Sequence, residues 1–440
     1  MNRREFLKIS SVLTTGSVLG ATGLSAKSYS HILGANDRIH FAVVGVRSRG
    51  QAHAEAVKYC DNAIVTHICD VDKRYEAEFS AKIVSLFGRK PKAIKDIRKL
   101  VEEKDIDVVT IATPEHWHAH MSIMALQNGK HVYVEKPCSH NPREGELLVA
   151  AQQKYGRLVQ MGNQQRSSAL TQGIIQRIKD GLIGTPYFGK AWYSNMRDSI
   201  GVGKIVPVPD YLDWELWQGP APRRDYRDNV HPYNWHWFWH WGTGETLNNG
   251  THEVDLCRWA MGVDYPNRIT AGGGRYHFKD DWEFYDTLST NFEYNDMLIT
   301  WEGKSCNALP YFDRGRGCII HGTKGSVLID RTSFTVFDLS GKIVEEFDAS
   351  KAAATSDLVS MDTMTVDHFK NLTNAIRNGE KLNSPIVEGN IAVTMLQLSN
   401  IAWKLGRALN LDPKTGHILG DEQAMGMWGR EYEPGWQLRV

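Results

Sequence analysis

Two residues stand out for the proton chemistry they could do. They are Lys136, in Val132-Tyr-Val-Glu135-Lys136-Pro137, and His252, in Asn248-Asn-Gly250-Thr-His252-Glu-Val-Asp255. The first run reads as a strand. A lysine at a strand's carboxyl end faces the crevice where an open α/β sheet takes its ligand. Such an amine can donate to a hydroxyl oxygen, and desolvation brings its pKa toward the range of a general base. Pro137 pushes Lys136 into extended backbone and so fixes the direction of its side chain. The plain alternative is a surface lysine that happens to precede a proline. If 248–255 is helical, Asn248, His252 and Asp255 share one face at i, i+4 and i+7. Asp255 would then orient His252 or bond to backbone. His252 is read as co-catalyst or substrate donor, against a buried structural histidine.

A second group of residues has the spacing of a dinucleotide site. Ile39-His-Phe-Ala-Val-Val reads as a strand that runs into Gly45-Val-Arg47-Ser48-Arg49-Gly50. Gly45 suits a tight turn and Gly50 suits close helix–strand packing, but Arg47 replaces the middle glycine of the usual fingerprint. Arg47 could place its guanidinium near a phosphate or an adenine face. Asp70 ends a second apolar run, Ile64-Val-Thr-His-Ile-Cys-Asp70, 20 residues after Gly50. An acid there binds both ribose hydroxyls and repels a 2′-phosphate, which favours NAD over NADP. Arg47 and Arg74 leave NADP open, and the bland reading of Asp70 is a cap on the next helix.

Further along, Gly162-Asn163-Gln164-Gln165-Arg166 offers amides for a hydroxyl or carboxamide. Arg166 is equally readable as a hinge salt bridge. The stretch His231-Pro-Tyr233-Asn-Trp235-His236-Trp237-Phe-Trp239-His240-Trp241 is unusually aromatic. Sugar rings present C–H faces that stack on such side chains, although any one of these rings alone reads more simply as packing. His231, His236 and His240 lack a carboxylate or histidine partner at ligand spacing, so no metal is expected there.

These residues need elements to hold them. Apolar β-rich runs at 39–44, 63–69, 106–112, 131–134 and 158–161 alternate with helical patterns near 50–60, 73–87, 96–103, 117–128 and 143–154. That alternation predicts βαβ units and a parallel, doubly wound sheet over 36–165. After a helix near 168–181 the texture changes. Longer β-type runs at 187–195, 267–276, 284–293, 297–303, 317–321 and 326–330 predict a large, mostly antiparallel open sheet in an α/β domain over 166–440. Turn signals Glu293-Tyr-Asn-Asp296 and Gly322-Thr-Lys-Gly325 join several of them. A helix over 251–261 and a last one near 386–407 are predicted, with long ordered loops over 204–250 and an extended tail at 411–440.

Residues 2–8, Asn-Arg-Arg-Glu-Phe-Leu-Lys, carry a twin-arginine signature, and an apolar small-residue stretch follows to about Ala26. Residues 1–35 are therefore read as an export signal and linker, for export through the twin-arginine machinery to the periplasm with no stable membrane span after signal removal. Lys plus Arg equals Asp plus Glu at 51 each, so nothing in the charge argues for nucleic acid. Cys60, Cys69, Cys138, Cys257, Cys306 and Cys318 form no C-x-x-C pair and read as buried free thiols.

Ala112-Thr113-Pro114-Glu-His116-Trp-His118, the Glu135-Lys136-Pro137 motif and the acid-ended second strand together resemble the Gfo/Idh/MocA family of sugar and cyclitol oxidoreductases. The similarity extends over nearly all of 38–408 and includes Trp214-Glu-Leu-Trp217-Gln-Gly-Pro-Ala-Pro222. The resemblance implies an N-terminal Rossmann domain and a C-terminal sheet domain through which copies pair as a dimer or tetramer. It implies a cofactor site from Gly45, Arg47, Ser48, Arg49, Gly50, Asp70, Thr113, Pro114, His116, His118, Glu135, Lys136 and Asn163. It implies substrate contacts from Gln164, Arg166, Tyr233, Trp235, Trp237, Asn248 and His252, with Lys136, His252 and Asp255 catalytic. In the family an Asp often stands four residues before the histidine; here it is Asn248, which cannot stabilise an imidazolium by charge. That departure moves the acid/base role to Lys136. The expected function is an exported oxidoreductase that passes hydride between a sugar or glycoside hydroxyl and a tightly bound NAD(P). A redox-neutral, NAD-dependent glycosidase is the alternative, and a non-catalytic carbohydrate-binding protein is the second.

Overall fold

The computed structural model describes residues 37–348 and 362–440. The predicted export signal lies outside them. Among the described residues no helix is long and apolar enough to cross a membrane.

The first sheet has six strands: β1 (Ile39–Val44), β2 (Ala63–Cys69), β3 (Lys92–Ala93), β4 (Val108–Ile111), β5 (His131–Val134) and β6 (Val159–Met161). Their order is β3-β2-β1-β4-β5-β6, and all pairs are parallel. The order reverses between β1 and β4, and this is where a ligand crevice opens. β1 and β4 are apolar and almost wholly buried because helices cover both faces. Helices Ser48–Lys58, Glu76–Phe87, His118–Gln127 and Pro142–Tyr155 make the crossovers. The Pro142–Tyr155 helix starts on an Asn141 cap that accepts from the Glu144 N–H and has proline in its first turn.

The second sheet has nine strands: β7 (Pro186–Ser194), β8 (Arg268–Gly274), β9 (Thr287–Glu293), β10 (Leu298–Lys304), β11 (Arg316–Gly322), β12 (Gly325–Ile329), β13 (Ser333–Phe337), β14 (Ile343–Asp348) and β15 (Leu409–Asn410). Their order is β14-β13-β12-β11-β7-β10-β9-β8-β15. All pairs are antiparallel except β7 with β10. β10 alternates half-buried and buried residues, as expected of a sheet with one face on the core. Helices Thr251–Met261 and Ile386–Leu405 pack against the sheet.

The sequence places the break between domains at 165, but the chain crosses it twice. The helix Thr363–Asn378 returns to pack on Ser48–Lys58, and the Met161 N–H donates to the Ser384 carbonyl. Residues 39–440 accordingly form a single compact unit.

Candidate active site

A cavity of about 620 Å³ runs from the glycine turn after β1 to the end of β5 and on to the helix Thr251–Met261. Gly45 opens it with φ +83°, and a Cβ there would lie 2.5 Å from the Ala112 carbonyl oxygen. A Cβ at Gly50 would lie 1.9 Å from the Gly45 carbonyl oxygen, so Gly50 serves packing and does not line the cavity. The helix that starts at Ser48 has no capping side chain. Its first-turn N–H groups are left for an anion, in the place where a dinucleotide's pyrophosphate belongs.

Asp70 lines the same end. Its carboxylate accepts from the Val46 and Asp72 N–H groups, each at 2.9 Å, and burial pushes its pKa up. An ionised carboxylate has about four acceptor positions, so two remain for a ribose diol. Arg74 is bidentate to Asp72 and lies over the Tyr211 ring at 3.6 Å, which leaves it poorly placed for a 2′-phosphate. Arg47 lines the cavity and donates to the Pro232 carbonyl at 3.2 Å.

Arg49 lines the cavity but is already paired. It donates to Glu135 at 3.0 Å, to Asp362 at 3.2 Å and to Thr365 at 3.1 Å. Glu135 also bonds His53 and Gln164. The Arg49 guanidinium is the strongest influence that holds the Glu135 carboxyl well below the usual range against its burial. Arg49, Glu135 and Gln164 thus form the cavity's supporting wall. Thr113 and Pro114 line the cavity with His118. The His118 nitrogens lie 2.6 Å from the Pro137 carbonyl and 2.8 Å from the Thr113 carbonyl, which fixes the turn carrying Lys136.

Lys136 reaches into the cavity from the end of β5. Its Nζ donates to the Asn248 carbonyl at 2.5 Å and to Asn248 Oδ1 at 3.2 Å. Burial lowers its pKa, opposed by Glu135 and Glu115. Asn248 lies in a π-helical turn, Thr246–Gly250, and the α-helix begins only at Thr251. Asn248 and His252 both line the cavity, and the Asn248 amide serves Lys136. His252 lines the cavity, and its Nδ1 is buried with no partner. Burial first, then Arg331, Arg316 and Lys136, hold its pKa well below the ordinary value, so the ring is neutral.

Several expected site residues lie elsewhere. Asp255 does not orient His252; it takes a bidentate ion pair from Arg166 at 2.6 and 2.8 Å, both residues buried. Arg166 is therefore the inter-element salt bridge. His116 is buried between the Trp217 carbonyl at 2.9 Å and the Trp241 carbonyl at 3.3 Å, away from the cavity. Asn163 is buried, neither amide atom is bonded, and it does not line the cavity. Trp237 stacks on Trp282 with ring centres 4.0 Å apart, which is core packing. Tyr233 and Trp235 do line the cavity. His231, His236 and His240 turn to separate partners: His231 lies 3.6 Å from Asp72, and the other two face the Tyr233 and Pro222 carbonyls.

The sequence reading passed over Glu115, Arg197 and Arg331. Glu115 is buried beside Lys136 and accepts from Thr243; burial pushes its pKa up to about 7. It sits inside the Thr113–His118 motif and could have been read there. Arg197 pairs with Glu245 at 3.0 Å, and neither has a local sequence signal.

Comparison with known proteins agrees with this geometry. Residues 39–163 match the N-terminal domain of the Gfo/Idh/MocA family, described as an oxidoreductase family with an NAD-binding Rossmann fold. Residues 220–328 match that family's C-terminal domain. An alpha-N-acetylgalactosaminidase of Shewanella oneidensis is 27% identical over 213 residues, covering 44% of this chain and 46% of that protein. The chain spans about half the length of the curated relatives it matches. Among solved structures, the WlbA dehydrogenase of Bordetella pertussis, in complex with NADH and UDP-GlcNAcA, superposes with TM-score 0.63 at 19% identity, covering 85% of this chain and 98% of that one. The aldose-aldose oxidoreductase of Caulobacter crescentus, complexed with glycerol, gives TM-score 0.64 at 16% identity, covering 85% and 100%. With both of its domains matched in chain order and a glycine turn, Asp70 and Lys136 around one cavity, the chain belongs to the Gfo/Idh/MocA family of NAD-binding oxidoreductases.

Proposed function

We propose that the protein is an exported oxidoreductase acting on a hydroxyl of a sugar or glycoside, with its dinucleotide carried as resident cargo. The observation that carries this reading is the half-buried Lys136 amine, held by Asn248 at the end of β5 in the cavity that begins at the glycine turn. The residues fit a dinucleotide: open N–H groups at Ser48 for the pyrophosphate and free acceptor positions on Asp70 for a ribose. When bound, such a cofactor supplies a hydride acceptor and donor. The chain supplies the rest.

Lys136 Nζ, with its pKa lowered by burial, takes the proton from the substrate hydroxyl as neutral amine and returns it as ammonium. Glu115, whose pKa burial pushes up to about 7, supplies negative charge beside it once ionised. His252 stays neutral and hydrogen-bonds a hydroxyl or carbonyl oxygen instead of acting as a charged acid. Trp235 and Tyr233 offer faces for a sugar ring. Asp70, with Arg74 sequestered by Asp72, favours NAD over NADP. The twin-arginine leader supports a periplasmic location, and a cofactor that cannot be resupplied there must be tightly held.

The matching acetylgalactosaminidase favours a second reading: a redox-neutral glycosidase that oxidises, eliminates, hydrates and reduces on one resident cofactor. Denaturing the purified protein and identifying released nucleotide tests the common premise. A protein that purifies empty and binds dinucleotide only weakly ends both readings. Incubation with aryl glycosides separates them, since oxidised sugar without cleavage marks the dehydrogenase, and free sugar without added acceptor marks the glycosidase.

A further inference from the structure

Among the described residues, the cations in and beside the cavity each have a hydrogen-bond or ion-pair partner, Arg331 excepted. Arg316 takes Glu253 at 2.7 and 3.0 Å. Arg197 takes Glu245, and Arg49 takes Glu135 and Asp362. Lys136 is held by Asn248. Arg331 lines the same cavity and has neither a hydrogen bond nor an ion pair with any described residue. The charges that face it are Arg316 and Arg49 on one side of the balance and Glu253 and Asp362 on the other, all four of which are already engaged.

Arg331 is not loosely held. It sits in the tight turn between β12 and β13, which Asp330 locks by accepting from the Thr332 N–H at 2.8 Å and the Ser333 N–H at 2.7 Å. Arg314 clamps the same carboxylate at 2.6 Å. The guanidinium is therefore presented from a fixed backbone. It faces His252, a neutral ring that also sees the cations Arg316 and Lys136 and a single acid, Glu135. A guanidinium fork with no hydrogen-bond or ion-pair partner among the described residues matches a carboxylate in geometry and charge.

Resting on the oxidoreductase reading above, we infer that the substrate is a carboxylate-bearing sugar, a uronate or aldonate, whose carboxylate is received by Arg331 beside His252 while a hydroxyl faces Lys136. Arg331 is thus a specificity residue and not a participant in proton transfer. The site rewards an anion at one end of the sugar and leaves the ring to Trp235 and Tyr233.

The test compares glucuronate, glucose and glucose 6-phosphate on the holoenzyme, by calorimetric binding and by turnover, in wild type, Arg331→Gln and Arg331→Lys. Arg331 lies in an exposed turn, and unchanged melting temperatures confirm that the variants fold. The expected result is glucuronate bound at least about tenfold more tightly than glucose, with the preference lost in Arg331→Gln and partly kept in Arg331→Lys. Glucuronate preference without turnover of any sugar supports the anion site and sinks the oxidoreductase reading alone. Equal binding of glucuronate and glucose, or a preference that survives Arg331→Gln, overturns the inference; if glucose is then oxidised, the oxidoreductase reading stands. Preference for the phosphate over glucuronate also overturns the carboxylate assignment.

Discussion

Lys136 Nζ donates to the Asn248 carbonyl at 2.5 Å in the cavity wall, and the chemistry of this pair fixes two expected outcomes. Lys136→Met removes the amine that the end of β5 presents to the cavity. Turnover should fall by roughly 10²–10⁴-fold, the usual weight of a positioned general acid–base, while released nucleotide per protein stays as in wild type. Asn248→Asp keeps the shape and adds a carboxylate where Oδ1 now lies 3.2 Å from Nζ. An opposite charge that close favours the ammonium, so the limb of kcat/KM that rises with pH should move upward by about one pH unit or more. An unmoved limb would take the proton away from Lys136. The residue types that carry these arguments were legible because each sits in its own local context: Lys136 between a strand and a proline, Asp70 at a strand end, Gly45 at a turn. The partners were not. Arg166 and Asp255 are 89 residues apart, and Asn248 meets Lys136 across 112 residues. No local pattern distinguishes Trp237, which packs on Trp282, from Trp235, which faces the cavity.

At the scale of elements, the glycine turn and its helix are one unit. Gly50→Ala would drive a Cβ to 1.9 Å from the Gly45 carbonyl oxygen and force strand and helix apart. The expected result is loss of bound nucleotide and of stability by about 2 kcal/mol or more, read from denaturant midpoints. The Arg166–Asp255 pair joins the turn after β6 to the helix Thr251–Met261. Arg166→Met strands a buried carboxylate and should cost about 3–5 kcal/mol, whereas Arg166→Met with Asp255→Leu should recover much of that. A double variant as unstable as the single one would show that packing, not charge, dominates there. β1, β2 and β5 follow the apolar runs of the sequence to the residue. β3 is two exposed residues at a sheet edge, too short for any periodic signal. The helix Thr363–Asn378 escaped because its buried face mixes Val366, Phe369 and Leu372 with Thr365, His368 and Asn371, so the apolar stripe is broken.

For the whole molecule, the C-terminal tail closes the structure, and its charge chemistry is testable. The Tyr432 hydroxyl donates to Glu144 Oε1 at 3.0 Å on the Pro142–Tyr155 helix, Arg430 donates to the His240 carbonyl at 3.0 Å, and the Trp436 carbonyl lies 3.0 Å from His120 Nε2. The tail thereby ties a Rossmann helix to the aromatic loop over the cavity. Glu144 is fully buried, and burial pushes its pKa up to about 7 despite the nearby Arg430. Its folded pKa is thus above its value in the unfolded chain. The stability that the protonated form contributes is fully present below about pH 4.5 and is lost as pH rises through about 7. Glu144→Gln keeps an acceptor for Tyr432 and removes the titration. Between pH 5 and pH 8 wild-type stability should therefore fall relative to the variant, by at most about 3 kcal/mol. Glu115 titrates in the same window, so the quantity to read is the difference between the two proteins and not the wild-type slope. Parallel denaturant midpoints across that range would mean that Glu144 stays ionised when folded and that Arg430, not burial, sets its charge.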